Sequence, residues 1–230
     1  INTTATSANV DAGLSISTYT GNGSASQNVG HGLSSAPEMV IVKSRDNSGS
    51  DDNWLIYHVS MGNNKKLFLS ETDAVITSGN WQNTTPTSSV FSILESDSGN
   101  NSNGTPYIAY CFHSVDGYSK MGSYVGNHGA GDPNGTFVYT GFRPAFVLIK
   151  RTNSAGQGAP IFDSARNEFN VTNKRLNSNA NVAEATTDGG LDLLSNGFRA
   201  AQTDGSVNSN GGIYIYIAFA ETPFKYANAR

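Results

Sequence analysis

Pro37-Glu-Met-Val-Ile-Val-Lys43 is the most informative stretch of the sequence, because a closely similar stretch, Pro144-Ala-Phe-Val-Leu-Ile-Lys150, follows 107 residues later. Asn101-Ser-Asn-Gly104 and Asn208-Ser-Asn-Gly211 have the same separation. Several matches at one separation indicate an internal duplication of about 107 residues. A period of that length is the size of a domain and is much longer than the 20–50 residues of solenoid repeats.

Each proposed repeat contains apolar runs that are continuous rather than alternating. These runs are Val40–Val42, Tyr107–Phe112, Val147–Ile149 and Ile213–Phe219. Continuous short apolar runs are typical of strands that are buried on both faces. We therefore expect two repeats that pack together, residues 13–119 and 120–230, preceded by an N-terminal extension or linker over residues 1–12.

The composition favours strands and turns over helices. Of 230 residues, 14% are charged, 37% are hydrophobic and 25 are Gly. Asn, Ser and Thr compete with the helical backbone for hydrogen bonds, and Gly costs about 1 kcal/mol per helical site. Short runs of Val, Ile, Tyr and Phe between clusters of Gly, Asn and Ser are typical of a sandwich or barrel. We predict an all-β fold, a β-sandwich of jelly-roll type, with candidate strands between residues 14 and 163 and between 192 and 227.

Charge and hydropathy exclude several classes of partner. The formal net charge is −4, without the basic excess that nucleic-acid binding requires. No apolar run approaches the ~20 residues of a membrane span. Residues 1–10 have no basic segment followed by an apolar one, so we expect no signal peptide there.

The sequence carries no motif that points to catalysis. Walker, Rossmann, H-E-x-x-H and G-x-S-x-G patterns are missing, and the four His lack the spacing of metal ligands. The single Cys, Cys111, lies in an apolar run, where we expect it to act as a small buried hydrophobe. We predict a protein that is not an enzyme.

One acidic loop could supply metal ligands. The loop Arg45–Asn53 contains Asp46, Asp51 and Asp52, and oxygen ligands at this density can hold Ca²⁺. A solvated turn is the alternative interpretation of the same residues. The corresponding loop in the second repeat, Thr152–Gly158, has no acid, which excludes a calcium site shared by both repeats.

Two tryptophans beside polar loops are the candidates for ligand binding. Trp54 follows the acidic loop, and Trp81 is followed by Gln82 and Asn83. An exposed aromatic ring can stack on the C–H face of a sugar, and the two amides can hydrogen-bond to its hydroxyls. The alternative is that either tryptophan belongs to the core, which the apolar run Trp54–Tyr57 favours for Trp54.

The same residues also carry a resemblance to a known family. The segments concerned are Gly30–Leu33, Pro37–Lys43, Trp54–His58, Pro86–Ser92, Tyr107–Phe112, Asp116–Lys120, Gly122–Tyr124, Phe137–Pro144, Val147–Thr152, Ile161–Arg166 and Tyr216–Arg230. Together they resemble a family of duplicated β-domains in virion proteins of marine bacteriophages, often fibre-like or tail-associated. The resemblance runs from about Leu14 and implies a concanavalin A-like sandwich. It carries over no catalytic residue. By analogy with Trp54 in the first repeat, the second repeat would be expected to have a tryptophan at Gly156–Ala159, but these residues contain none.

The resemblance implies a place on the surface of the virion, as a fibre, spike or capsid decoration. Its partners would be other virion proteins, further copies in a homo-oligomer such as a trimer, and a host glycan or receptor. A neutral surface suits seawater, where the Debye length is only a few Å and charge pairs contribute little. A scaffold module without a ligand is one alternative, and a glycan-degrading enzyme is another.

Overall fold

The structure is a computed structural model that describes residues 1, 3–46, 53–94, 99–128, 135–201 and 204–222, with the backbone alone at 187–189. These residues form strands and no helix, which confirms the all-β prediction. The strands are β1 (Thr3–Asn9), β2 (Leu14–Thr20), β3 (Gln27–Gly30), β4 (Met39–Ser44), β5 (Leu55–His58), β6 (Lys65–Phe68), β7 (Ile76–Thr77), β8 (Val90–Ile93), β9 (Pro106–Phe112), β10 (Ser119–Val125), β11 (Thr136–Tyr139), β12 (Pro144–Arg151), β13 (Pro160–Asp163), β14 (Thr172–Asn177), β15 (Ala185–Leu194), β16 (Gly197–Ala200) and β17 (Ile213–Ala220). In the described part of the chain, no helix is long and apolar enough to cross a membrane.

The chain divides into two compact units. The first comprises Ile1–Glu71 and Val75–His113, and the second begins at Ser114 and also includes Thr72–Ala74. The division therefore falls six residues before the boundary expected at 119/120. Residues 3–9, which we assigned to an extension, form β1 and pair with β2 inside the first unit.

The first unit contains an antiparallel seven-stranded sheet and a strand pair. The sheet has the order β1-β2-β9-β4-β5-β6-β7, and β3 pairs with β8. One cluster of buried side chains forms the core: Tyr19, Val29, Leu33, Val40, Val42, Leu55, Tyr57, Phe68, Trp81, Phe91, Ile93, Tyr107, Ala109 and Cys111. Since this cluster takes residues from the sheet and from β3 and β8, the strand pair covers one face of the sheet.

The second unit is one antiparallel sheet that almost closes on itself. Its eight strands have the order β10-β17-β12-β13-β14-β15-β16-β11. The two end strands approach each other, and Thr136 Oγ1 donates a hydrogen bond to the carbonyl oxygen of Val125 (3.0 Å). The result is a nearly closed barrel. Its interior is filled by Tyr124, Val138, Phe142, Val147, Ile149, Phe162, Leu191, Leu193, Phe198, Ala200, Val207, Tyr214, Tyr216 and Ala218.

Every candidate strand that falls on described residues overlaps an observed strand, but polar strands were missed. β1 and β14 have the sequences TTATSAN and TNKRLN, without an apolar run. β7 is only two residues long, and β15 begins seven residues before the predicted Asp192. The strand predicted at residues 224–227 lies outside the described residues.

Burial on both faces is confirmed for three of the four apolar runs and is wrong for the fourth. Met39–Val42 in β4, Val147–Ile149 in β12 and Tyr214–Ala218 in β17 are continuously buried. In β9 burial alternates, so that Tyr107 is buried while Ile108 and Tyr110 are partly exposed. Large apolar side chains on both faces of β9 had hidden its period of two.

The Asn-Ser-Asn-Gly loop of the first unit is held by a tyrosine pair and an asparagine. Tyr19 and Tyr107 stack with ring centroids 5.2 Å apart. The Tyr107 hydroxyl accepts a hydrogen bond from the Ser102 amide (3.0 Å), and Asn101 Oδ1 accepts one from the Asn22 amide (3.0 Å). These side chains fasten the loop to the turn after β2.

The loop of the second unit is held in the same way. Tyr124 and Tyr214 stack at 4.9 Å. The Tyr214 hydroxyl accepts a hydrogen bond from the Ser209 amide (2.8 Å), and Asn208 Oδ1 accepts one from the Asn127 amide (3.0 Å). The tyrosine stack and these two hydrogen bonds of the first loop therefore each have an equivalent in the second.

Candidate functional site

Trp81 belongs to the core of the first unit and not to a binding surface. Its side chain is 1% exposed. The ring makes edge-on contacts with Tyr57 (centroids 5.7 Å apart) and Phe91 (6.5 Å). A ring enclosed in this way cannot stack on a ligand. The prediction that Trp81 binds a ligand is therefore wrong for this structure.

Gln82 and Asn83 form a tight turn behind Trp81, both with positive φ (55° and 50°). The Gln82 amide nitrogen donates to the carbonyl oxygens of Gln27 (2.7 Å) and Ile93, which are register partners in β3 and β8. The sequence predicts that this amide pairs with a ligand, but in the structure it holds the strand pair together instead. Asn83 is exposed.

Trp54, the second candidate, lies at the surface. It is 36% exposed and stacks on Tyr110 with centroids 6.1 Å apart and ring planes 21° from parallel. Ile41 in β4 lies between Ile56 of β5 and Tyr110 of β9, so the two rings meet across the outer face of the central strands. The sequence analysis favoured a core position for Trp54 and did not single out Tyr110.

Polar groups fix the backbone at Trp54. The Trp54 amide donates to Ser70 Oγ (3.2 Å), and that hydroxyl donates to Asn53 Oδ1 (2.9 Å). The Trp54 carbonyl oxygen accepts a hydrogen bond from the Leu69 amide (2.8 Å). Asn53, Trp54, Ser70 and Tyr110 form what we call the Trp54 patch. It combines an aromatic surface with an amide and a hydroxyl.

The proposed calcium ligands are only partly described. Asp46 is exposed and accepts a hydrogen bond from Ser44 Oγ (2.9 Å), a contact typical of a solvated turn. Asp51 and Asp52 lie outside the described residues. Among the residues whose positions the structure gives, no three His, Cys, Asp or Glu side chains are grouped as a metal site. Calcium binding stays a prediction.

Cys111 has the chemistry of a buried thiol. Its side chain lies in the core of the first unit, and burial raises its pKa to about 12. The thiolate is the nucleophilic form of cysteine, so at neutral pH Cys111 is an unreactive thiol. It fills space in the sheet, as the sequence analysis expected.

Two acids of the second unit are held by arginines. Asp163 contacts the Arg166 side chain (2.6 Å), and Asp192 accepts from Arg199 Nε (2.9 Å). Both carboxylates are therefore engaged in ion pairs within the second unit.

His58 makes the stability of the first unit depend on pH. Burial lowers its pKa from 6.5 to about 4, an effect that the nearby charge of Glu38 only partly offsets. Above pH 6.5 the ring is neutral in both the folded and the unfolded chain. As the pH falls from 6.5 to 4, the unfolded chain binds a proton that the folded unit does not. We expect the unfolding free energy to fall by about 3 kcal/mol over that range.

Chemical denaturation at pH 7, 5.5 and 4 measures this loss. His58→Asn is the control, because an amide oxygen can replace the ring nitrogen that accepts from the Ser60 amide (3.1 Å). Burial also lowers the pKa of His31. Because His31 is present in both the wild type and His58→Asn, its contribution to the pH dependence is the same in each. Identical pH dependence in wild type and variant would refute a role for His58.

Comparison with known proteins places the chain in a family without assigning it an activity. A family model described as "Domain of unknown function (DUF7483)" matches residues 1–223, and the chain belongs to that family. Neither a curated protein nor a solved structure matches the chain. The chemistry of the Trp54 patch is therefore the starting point for a functional proposal.

Proposed function

We propose that this protein is a non-enzymatic structural module on the surface of a bacteriophage virion, and that its Trp54 patch contacts a host glycan or glycosylated receptor. The virion part rests on the resemblance of the sequence segments to duplicated virion β-domains. The scarcity of charge supports it, because surface charge pairs contribute little at the ionic strength of seawater. The glycan part rests on the geometry of the patch.

The observation that carries the glycan proposal is the exposed ring of Trp54. Tyr110 stacks against Trp54 and fixes the orientation of the indole. A preoriented aromatic ring offers its negative π face to the weakly positive C–H groups of a sugar at low entropic cost. The Ser70 hydroxyl is hydrogen-bonded to the Trp54 backbone amide and to the Asn53 side chain, and both side chains can pair with sugar hydroxyls.

We also propose that the two units are diverged copies of one ancestral β domain. The paired Tyr–Tyr stacks and the paired Asn–amide hydrogen bonds support this duplication. The copies differ where a ligand would bind. The position that Trp54 occupies in the first unit has no tryptophan counterpart in the second, where Gly156–Ala159 stand. One glycan site per chain follows from this difference.

The proposed partners are other virion proteins, further copies of the chain and the host glycan. A homo-oligomer, such as a trimer, would present several Trp54 patches at once and strengthen a weak contact by multivalency. The proposal requires no cofactor. A scaffold module without a ligand is the alternative that the experiment must separate from it.

A glycan array probed with wild type and Trp54→Ala tests the binding part. We expect the variant to bind about tenfold more weakly or not at all, because it loses the stacking surface. Tyr139→Ala is the matched control, since Tyr139 is also an exposed aromatic (66%) but lies in the second unit. Thermal unfolding of all three proteins shows whether the variants remain folded.

Three outcomes decide between the alternatives. Loss of binding in Trp54→Ala alone supports the patch. Equal loss in Tyr139→Ala, or none in Trp54→Ala, refutes it. Wild type that binds no glycan favours the scaffold alternative.

Immunogold labelling of intact virions tests the virion part separately, and particles without label on their surface would contradict it.

A further inference from the structure

The edge strand β1 presents an unpaired backbone to solvent. It forms one end of the seven-stranded sheet and pairs with β2. On its other side, no strand of the described residues pairs with it. The side chains from Thr4 to Asn9 are all exposed. An unpaired edge of this kind is a template to which another strand can add.

β1 differs from the other sheet edges that the structure describes. β7 is two residues long, and β3 and β8 have four residues each. The end strands β10 and β11 of the second unit approach each other through Thr136 and Val125. β1 has seven residues and contains no charged residue and no Pro. Proteins guard exposed edges with short strands, charges or Pro, and β1 has none of these protections.

We infer that β1 pairs antiparallel with β1 of a second copy of the chain, about a twofold axis near Ser7. This register places Ala5 opposite Asn9 and Thr6 opposite Ala8, with Ser7 opposite its own copy. The register of β1 against β2 shifts between Thr3 and Ala5, so the regular part of the strand is Ala5–Asn9. Because every side chain in it is uncharged and small, the self-pairing brings together no like charges and no bulky groups.

The pairing joins two seven-stranded sheets into one continuous sheet. Five residues from each copy make a small interface, so the dimer is weak and its population depends on concentration. Neighbouring copies on a shared particle would meet at a high local concentration. This inference rests on the homo-oligomer part of the proposed function and is independent of the glycan part.

Sedimentation velocity over a range of concentrations tests the inference. We expect a monomer–dimer equilibrium for the wild type. Ser7→Lys and Ser7→Glu should each raise the dimer dissociation constant by about tenfold or more, because like charges then meet at the axis. An equimolar mixture of the two variants should form a heterodimer at wild-type concentrations, which no folding defect could produce.

Thr20→Lys is the control, because it adds an exposed charge to β2, which is not an edge strand. Its dissociation constant should equal that of the wild type. A wild type that stays monomeric, a trimer, or a Ser7→Lys variant that dimerises normally would overturn the inference. Glycan binding by Ser7→Lys monomers is measured in parallel, so that failure of the dimer is distinguished from failure of the Trp54 patch.

Discussion

Replacing Trp81 with alanine should lower the unfolding free energy of the first unit by about 3–5 kcal/mol. Trp81 is the largest side chain that the structure shows fully buried, and it fills the space between Tyr57 and Phe91. Those rings come from β5 and β8, on opposite sides of the core. Removing the indole leaves a cavity that neither strand can close without losing its own pairing, so the cost lies in the upper range for core substitutions.

Urea denaturation followed by circular dichroism measures this loss. Trp54→Ala is the matched control, because it removes the same side chain from a position that is 36% exposed. We expect it to lose no more than about 1.5 kcal/mol, the size of an aromatic contact. Equal losses in the two variants would contradict the assignment of Trp81 to the core and of Trp54 to the surface.

Gly21→Ala and Gly126→Ala should each destabilise their unit by about 3 kcal/mol. A Cβ on Gly21 would lie 2.2 Å from the carbonyl oxygen of Ser102, and one on Gly126 would lie 2.3 Å from that of Ser209. Both oxygens belong to backbone inside the Asn-Ser-Asn-Gly loops, so no side-chain rotation can relieve the clash. The loop must move away from the turn that the asparagine and tyrosine side chains hold.

Gly30→Ala is the control, since the nearest atom to its added Cβ is 3.9 Å away, at the carbonyl oxygen of Ser89. It should change stability by less than about 1 kcal/mol. Hydrogen exchange read separately in each unit shows which one is weakened, the first by Gly21→Ala and the second by Gly126→Ala. Similar losses at the two glycines would support the proposed duplication, and a loss no larger than that of Gly30→Ala would contradict the close packing.

The strands with large apolar side chains could be predicted from the sequence, whereas the polar strands could not. β4 and β17 have continuous apolar runs because they are buried on both faces. β1 is a strand because its backbone pairs with β2, and its TTATSAN sequence contributes little burial of its own. Pairing between backbones leaves no periodic signature in the side chains, so propensity alone could not locate it.

The sequence names Trp54 and Trp81 as candidates but does not tell which of them is exposed. The structure exposes Trp54 and buries Trp81. Both residues stand next to polar segments, so local sequence could not separate them. Burial of Trp81 depends on Phe91 and Tyr57, and exposure of Trp54 depends on its position against Tyr110, more than fifty residues away along the chain.

The order of strands in the two sheets has a consequence for synthesis on the ribosome. β9, the last strand of the first unit, lies between β2 and β4, and β17, the last of the second unit, lies between β10 and β12. A central strand that is made last leaves two open edges until it emerges. Each unit must therefore complete its sheet after translation of its final segment, by contacts of high sequence separation that form slowly. Until then, those edges are open to pairing with other chains.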